Sequence, residues 1–243
     1  MSERIAGNQS TGLLKWIALV CMCCDHAGKM LFPGIIEMRI IGRIAYPLYC
    51  WCMVVGICRT KSIPWYLARI LITGAISQPL YVIALDHQWN EPNIFLTLAI
   101  GLAGLWGIRE KKWGSQWWAP IASLFLAVIC QANYGMQGVL LVFLLYMVRE
   151  SRVGIAAVMI AFCLGWGANT RMITSVFGVR LDALYTGVLG GVLSPWLKLQ
   201  ALAILSLPLM IIPFRHTLRM PKLLGYILYP AHLGLLYLAE QLV

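Results

Sequence analysis

Four ionisable side chains interrupt the first apolar stretch of the chain, "LLKWIALVCMCCDHAGKMLF" at residues 13–32: Lys15, Asp25, His26 and Lys29. Such groups are costly inside an apolar span and mark a pathway, a proton relay or a reaction site. Imidazole titrates near neutrality, so a histidine held there suits proton transfer at physiological pH. Lys15 and His26 stand eleven residues apart. At about 100° per residue they return to within ~20° of one direction, separated by roughly 16 Å along the axis, so they share one helix face. Asp25 points about 100° away from His26, because sequence neighbours on a helix do not face each other. The carboxylate is therefore expected to pair with Lys29, Arg39 or Arg43. Lys15, taken alone, also fits an anchor that snorkels to a membrane edge.

Elements that could position these residues must be membrane helices. The 243-residue chain is 60% hydrophobic and 12% charged, against about 25% charged residues in a soluble domain, and its mean hydropathy is +0.78. One bilayer crossing takes about 20 mainly apolar residues. The apolar runs predict spans over 13–32, 40–58, 65–85, 93–109, 117–131, 136–149, 153–169, 198–214 and 222–242. The expected fold class is all-α: a polytopic integral membrane helical bundle of about nine (8–10) transmembrane helices, one domain over 1–243 with a short cytoplasmic tail at 1–12. Hydropathy alternating at helix length argues against a β-barrel. The Gly-rich stretch 170–197, broken by Pro195, stays open between a tenth span and a re-entrant or interfacial piece. The first apolar run has no plausible cleavage site and reads as a retained first span. Pro47, Pro79, Pro208 and Pro230 fall inside spans, where each frees a carbonyl that a neighbour or a wet cavity can satisfy.

The net charge of +10 is not read as a nucleic-acid footprint, because the basic residues punctuate the chain between spans instead of clustering on one face. They follow the positive-inside rule. "CRTKS" (58–62), "REKK" (109–112), "RESR" (149–152) and "RHTLRMPK" (215–222) are basic and expected in the cytoplasm, whereas "LDHQWNEPN" (85–93) and "QANYG" (131–135) lack Lys and Arg and are expected outside. The loop 29–43 conflicts, since it carries Lys29, Arg39 and Arg43 against Glu37 yet falls outside. Either the topology is wrong there or those charges serve a site. Eight cysteines sit mostly in apolar runs and are read as small buried hydrophobes. "CMCCDH" lacks a zinc spacing and spreads its thiols around the helix, so no metal is expected.

Several segments resemble the TraX family when taken together: residues 13–32 above, "RIIGRIAYPLYCWCMVVG" (39–56), "ISQPL" (76–80), "NIFLTLAIGL" (93–102), "NYGMQGVLLV" (133–142) and "YILYPAHLGLL" (226–236). The family is named for a conjugation protein that acetylates the N-terminus of pilin. It resembles in turn the acyltransferase-3 group, whose first span carries an Arg, ten residues and a His. Here "KWIALVCMCCDH" keeps the interval with Lys15 in place of the arginine, which retains the charge but not the bidentate fork.

The resemblance implies an acetyltransferase of the bacterial cytoplasmic membrane that takes acetyl-CoA as co-substrate. Its partners would be membrane lipids and an acetyl acceptor: a peptide or pilin N-terminus, an amino sugar or an envelope component. No nucleic acid is expected, and oligomeric state leaves no mark in the sequence. Lys15 and Arg39 become candidates for holding the cofactor. His26 is the candidate general base or acetyl-accepting nucleophile. Asp25 would hold Arg43, which would stabilise charge on the thioester oxygen. Lys15 and His26 would line one groove. Tyr229 and His232 of "YPAH", Asn93 and Tyr134 are candidate substrate contacts, with Ser77 and Gln78 behind them; helix packing or capping also explains several of these. His87 and His216 lie in loops and are read as solvated. Two alternatives stand beside the enzyme: a small proton-coupled transporter or flippase using Asp25 and His26 as a relay, and a non-catalytic assembly subunit.

Overall fold

The helix "AYPLYCWCMVVGICR" is apolar on every side, and a helix of that kind has to be enclosed by others. In a computed structural model, which describes residues 4–168, 170–214 and 218–242, it forms α3 (Ala45–Arg59) at the centre of the chain, with eleven of its fifteen residues buried. Around it lie α1 (Thr11–Met30), α5 (Ile94–Glu110), α7 (Gly135–Met147) and a 3-10 turn at Ala201–Ser206 that runs into α10 (Leu207–Ile211). Outside these, α4 (Ile63–Leu85) and α11 (Lys222–Glu240) close against one another and against α1. On the other flank, α6 (Ser115–Ile129) and α8 (Arg152–Gly167) cover α5, α7 and α10. Two apolar clusters result. The larger centres on Trp51, Leu48, Leu102, Leu141 and Met159, and the smaller joins α1, α4 and α11 through Leu19, Met22, Tyr81, Leu85, Tyr229 and Leu233.

A helix coincides with each expected span, but among the described residues length and hydropathy together single out three stretches able to cross a bilayer: Ile36–Arg59, Ile63–Leu85 and Leu223–Glu240. Shorter apolar helices occupy Gly135–Met147, Arg152–Gly167 and Ala201–Ile211. The outward faces of α4 (Trp65, Ile72, Ile76, Ile83) and α6 (Trp117, Ile121, Phe125, Val128) are exposed and apolar, a surface suited to lipid.

Three stretches gain detail in the structure. The span expected at 40–58 falls within a continuous helical stretch, Ile36–Arg59, in which α2 (Ile36–Gly42) and α3 are joined through Arg43 and Ile44, both with helical φ and ψ. The described chain is mostly helical, as expected, and the open stretch 170–197 holds a hairpin of Ser175–Val176 and Val179–Arg180, a 3-10 turn at Asp182–Tyr185 and a seven-residue helix, α9 (Gly187–Leu193). Phe177 and Gly178 both take positive φ, the backbone that a two-residue hairpin turn requires. The described part of the 1–12 tail packs against the bundle. Ile5 and Asn8 are buried, the Asn8 amide donates to the Leu209 carbonyl at 2.9 Å, its N–H donates to the Met210 carbonyl at 2.6 Å, and its own carbonyl accepts from Trp51 Nε1 at 2.7 Å. A Cβ at Gly7 would press into the Trp51 ring and the Met210 carbonyl.

Asn8 thus ties the chain's beginning to α3 and α10. Asn8→Ala strands the Leu209 carbonyl without its side-chain donor and is expected to cost about 1–3 kcal/mol. A thermal unfolding midpoint in detergent unchanged from wild type would show that this anchor does not contribute.

Candidate functional site

Two glycines let α2 lie against α1. A Cβ on Gly28 would meet Met38 Cβ at 2.7 Å, and one on Gly42 would overlap the Asp25 side chain. On α2, Arg39 and Arg43 lie one turn apart, and Gly42 completes the same stripe. This stripe turns to Asp25. Arg43 donates to Asp25 Oδ1 at 2.5 Å and Arg39 approaches Oδ2 at 3.4 Å, while also donating to the Asp25 carbonyl at 3.1 Å. Arg43 further donates to the Arg39 carbonyl at 3.3 Å and to Gln200 Oε1 at 3.2 Å. The side chains of Asp25 and Arg43 are each 14% exposed and that of Arg39 26%. Of the three cations open to Asp25 in the sequence, the two arginines are taken and Lys29 is not. The basic loop that conflicted with the topology is turned into the bundle, where its arginines face a carboxylate.

His26, on the next face of α1, meets α11. Its Nδ1 lies 2.8 Å from His232 Nε2, with the ring centroids 5.1 Å apart and the planes 14° from parallel. His232 Nδ1 lies 3.2 Å from the Leu228 carbonyl one turn earlier. A carbonyl can only accept, so His232 Nδ1 carries a proton and, in the neutral ring, Nε2 offers a lone pair. That lone pair takes the hydrogen on His26 Nδ1. The chain of bonds thereby assigns His26 the tautomer whose Nε2 is bare. Tyr229 sets its ring edge-on to His232 at 5.3 Å, and Pro230 removes the helical donor that would satisfy the Tyr226 carbonyl.

A cavity of about 510 Å³ opens beside this pair. Its wall includes Asp25, His26, Lys29, Arg39, Arg43 and Tyr134, with Tyr229 on the α11 side. Lys15 lies elsewhere, in a smaller cavity of about 110 Å³ with Cys52, Tyr66, Met220 and Tyr226. Ile94 and Tyr229 line both. The single groove expected for Lys15 and His26 is therefore two cavities with a shared wall.

At the mouth, Lys29 donates to the Leu85 carbonyl at 2.8 Å and stands 3.1 Å from His87 Nε2, while His87 Nδ1 meets Glu91 at 2.8 Å. The Gln88 backbone N–H, and after it His87, hold the Glu91 carboxyl below the usual carboxylate range. His87 also stacks on Tyr81 at 4.6 Å and lines the cavity, so it is not the solvated loop histidine expected. His216 lies outside the described residues. Asn93 is not in the cavity wall. It caps α5 by accepting from the Phe95 N–H at 3.0 Å, and its amide donates to the Gly74 carbonyl at 2.7 Å; buried and fully engaged, it is a structural tie in place of the expected substrate contact. Ser77 donates to the Thr73 carbonyl within α4, and Gln78 is bound to Glu91 and Asn93. Tyr134 does line the cavity, stacked on Tyr46 at 3.7 Å. Among the described residues, no three His, Cys, Asp or Glu side chains gather in the way a metal site needs.

Several wall residues were not singled out by the sequence, among them Thr170, at the start of the open stretch 170–197, and Gln200, near the start of the span expected at 198–214. Gln137 carried a signal: it is a polar residue in the first turn of an otherwise apolar helix, one turn beyond Tyr134.

A family model described as "TraX protein" matches residues 10–240. Among curated proteins, the chain is 33% identical over 99 residues to an uncharacterized protein of Rickettsia prowazekii, covering 41% of this chain and 38% of that one. It is 33% identical over 106 residues to a probable fimbrial assembly protein, FimC of serogroup H1, from Dichelobacter nodosus, covering 38% of this chain and 43% of the relative. It is 23% identical over 184 residues to the protein TraX of Escherichia coli, covering 72% and 73%. The first two matches thus span about two fifths of those relatives' own length. No solved structure matches the chain.

Asp25 neutralises part of two enclosed guanidinium charges, and removing one partner of such a pair leaves the other uncompensated. Asp25→Ala is expected to destabilise by about 3 kcal/mol, and Arg43→Met should cost clearly less in that background than in wild type. A double-mutant cycle with no coupling would remove the ion pair from the account of this site.

Proposed function

The chain belongs to the TraX family, and from that premise we propose that it is an integral membrane acetyltransferase of the bacterial cytoplasmic membrane, transferring an acetyl group from acetyl-CoA to an amine or hydroxyl acceptor such as a pilin N-terminus. One relative is named as a probable fimbrial assembly protein, which supports a role in pilin processing. A bundle of nine passes, with the N-terminus inside, belongs to the same reading. So does the likeness of the Lys15–His26 interval to the acyltransferase-3 first span.

The observation that carries the proposal is the 2.8 Å contact between His26 Nδ1 and His232 Nε2, backed by the Leu228 carbonyl. It leaves His26 Nε2 as a bare, oriented base on a cavity wall. As the acceptor nitrogen attacks the thioester carbon, His26 Nε2 takes its proton. The new C–N bond forms and the carbonyl electrons move onto oxygen. Arg43, which keeps one N–H on each terminal nitrogen beyond its bonds to Asp25 and Gln200, stabilises that oxygen. When the tetrahedral centre collapses, the C–S bond breaks and the proton on His26 passes to the departing sulfur. His232 shares the positive charge gained by His26 in between. Transfer through an acetyl-imidazole needs the same bare nitrogen.

The wall charge suits this chemistry. Three cations, Lys29, Arg39 and Arg43, stand against one carboxylate, Asp25, and a cationic surround disfavours an ammonium, holding a bound amine in its nucleophilic free-base form. The larger cavity matches the acyl end of the co-substrate and an acceptor. Lys15 and the smaller cavity lie where an anionic carrier would approach from the cytoplasm under the proposed topology. A proton relay through Asp25 and His26 draws less support, since Asp25 is taken by arginines and His26 by His232.

Membrane vesicles carrying the protein and supplied with labelled acetyl-CoA test this. Wild type is expected to label an envelope or pilin acceptor, and His26→Ala to lower transfer by about 10²–10⁴-fold. His232→Phe, which removes the acceptor for His26 Nδ1–H, should lower the rate while leaving the KM for acetyl-CoA nearly unchanged. Equal labelling by wild type and His26→Ala would sink the assignment.

A further inference from the structure

Arg39 engages Asp25 through NH1 alone, contacting both the carboxylate and the backbone carbonyl. Its Nε and NH2 groups have no partner among the described residues, although the side chain lies in the wall of the large cavity. Arg43 next to it is held on three nitrogens by Asp25, Arg39 and Gln200. One carboxylate thus serves two guanidinium groups, and the Nε–NH2 edge of Arg39 has no partner among the described residues, in a cavity wall that also carries Lys29. A planar guanidinium with adjacent free N–H groups is the shape that binds a carboxylate or phosphate with two parallel bonds.

We propose that Arg39 forms an anion subsite for the acceptor, which therefore carries a carboxylate or phosphate close to the amine or hydroxyl that is acetylated. This rests on the acetyl-transfer reading for the word "acceptor", and on the wall geometry alone for the anion. The anion cannot be the nucleotide end of the co-substrate when the thioester is at His26. The pantetheine arm holds those phosphates far from the reacting carbon, whereas Arg39 and His26 share one cavity. An anionic group on the acceptor also offsets the surplus positive charge of the wall. The acceptor is thereby oriented from one side by Arg39, while its nucleophile faces His26.

The test has a binding arm and a turnover arm. Full-length protein in detergent is titrated calorimetrically with inorganic phosphate. Saturable binding is expected in wild type, weakened about tenfold or more by Arg39→Gln and restored only in part by Arg39→Lys, which keeps the charge but loses the two parallel bonds. No binding, or equal binding by Arg39→Gln, would overturn the subsite. In the turnover arm, wild type is given ethanolamine against O-phosphoethanolamine, and a peptide with glutamate beside its N-terminus against the same peptide with glutamine. Preference for the anionic member is expected, and whichever pair shows it more strongly separates phosphate from carboxylate. No preference in either pair overturns the proposal even if Arg39→Gln fails to fold. If Arg39→Gln weakens acetyl-CoA but not acetylpantetheine, the arginine serves the nucleotide and the proposal is equally wrong. Transfer to no acceptor at all would fail the acetyltransferase reading, and phosphate binding would still decide the subsite.

Discussion

Everything around the cavity depends on one carboxylate shared by two arginines. Asp25 draws Arg39 and Arg43 inward from a segment whose charge would otherwise put it in water, and that attraction sets the short α2 against α1. The contact works only because residue 42 has no side chain. Arg43, held by Asp25, stands at the junction of α2 and α3, just before the buried central helix, and lines the cavity. An enclosed ion pair is a poor source of net stability, since desolvation offsets much of its attraction. Its value here is geometric: it specifies where two cations stand.

That arrangement constrains what can orient His26. A second carboxylate beside His26 would compete for the same two arginines and would have to be desolvated as well. The partner found is uncharged. The Leu228 carbonyl orients His232, and His232 orients His26, through neutral bonds that are less costly to enclose than another ion. The division follows from helix geometry, because adjacent residues on α1 face apart. Asp25 organises the cationic wall and His26 belongs to the neutral chain of α11.

Helix positions were legible because apolar runs at helix length leave few other choices in this composition, and the carboxylate's partners were legible because angular position on α1 excluded His26 and left three cations. The histidine pair was half legible. "YPAH" singled out His232 as a polar residue in an apolar helix, but 206 residues separate it from His26, and no spacing rule spans such a distance. The hairpin was hidden because Val176, Phe177, Gly178 and Val179 read as an apolar run, and only the positive φ of two of them makes a turn. Asn93 misled in an instructive way. A buried polar residue at the start of an apolar helix can face a ligand or cap the helix, and its position directly before Ile94 favoured the cap. His87 is the opposite case: its place in a loop points to solvent, and only the cavity that the loop borders gives it a wall position.

The shared wall of the two cavities bears on how a long carrier could work here. Lys15 and His26 lie on one face of α1, as their interval requires, yet Ile94 and Tyr229 separate the spaces they line. Tyr229 is held edge-on between Phe95 at 4.7 Å and His232 at 5.3 Å. An arm that passed from the Lys15 side to the His26 side would have to displace that ring. Because Tyr229 touches His232, such a displacement would reach the histidine pair directly.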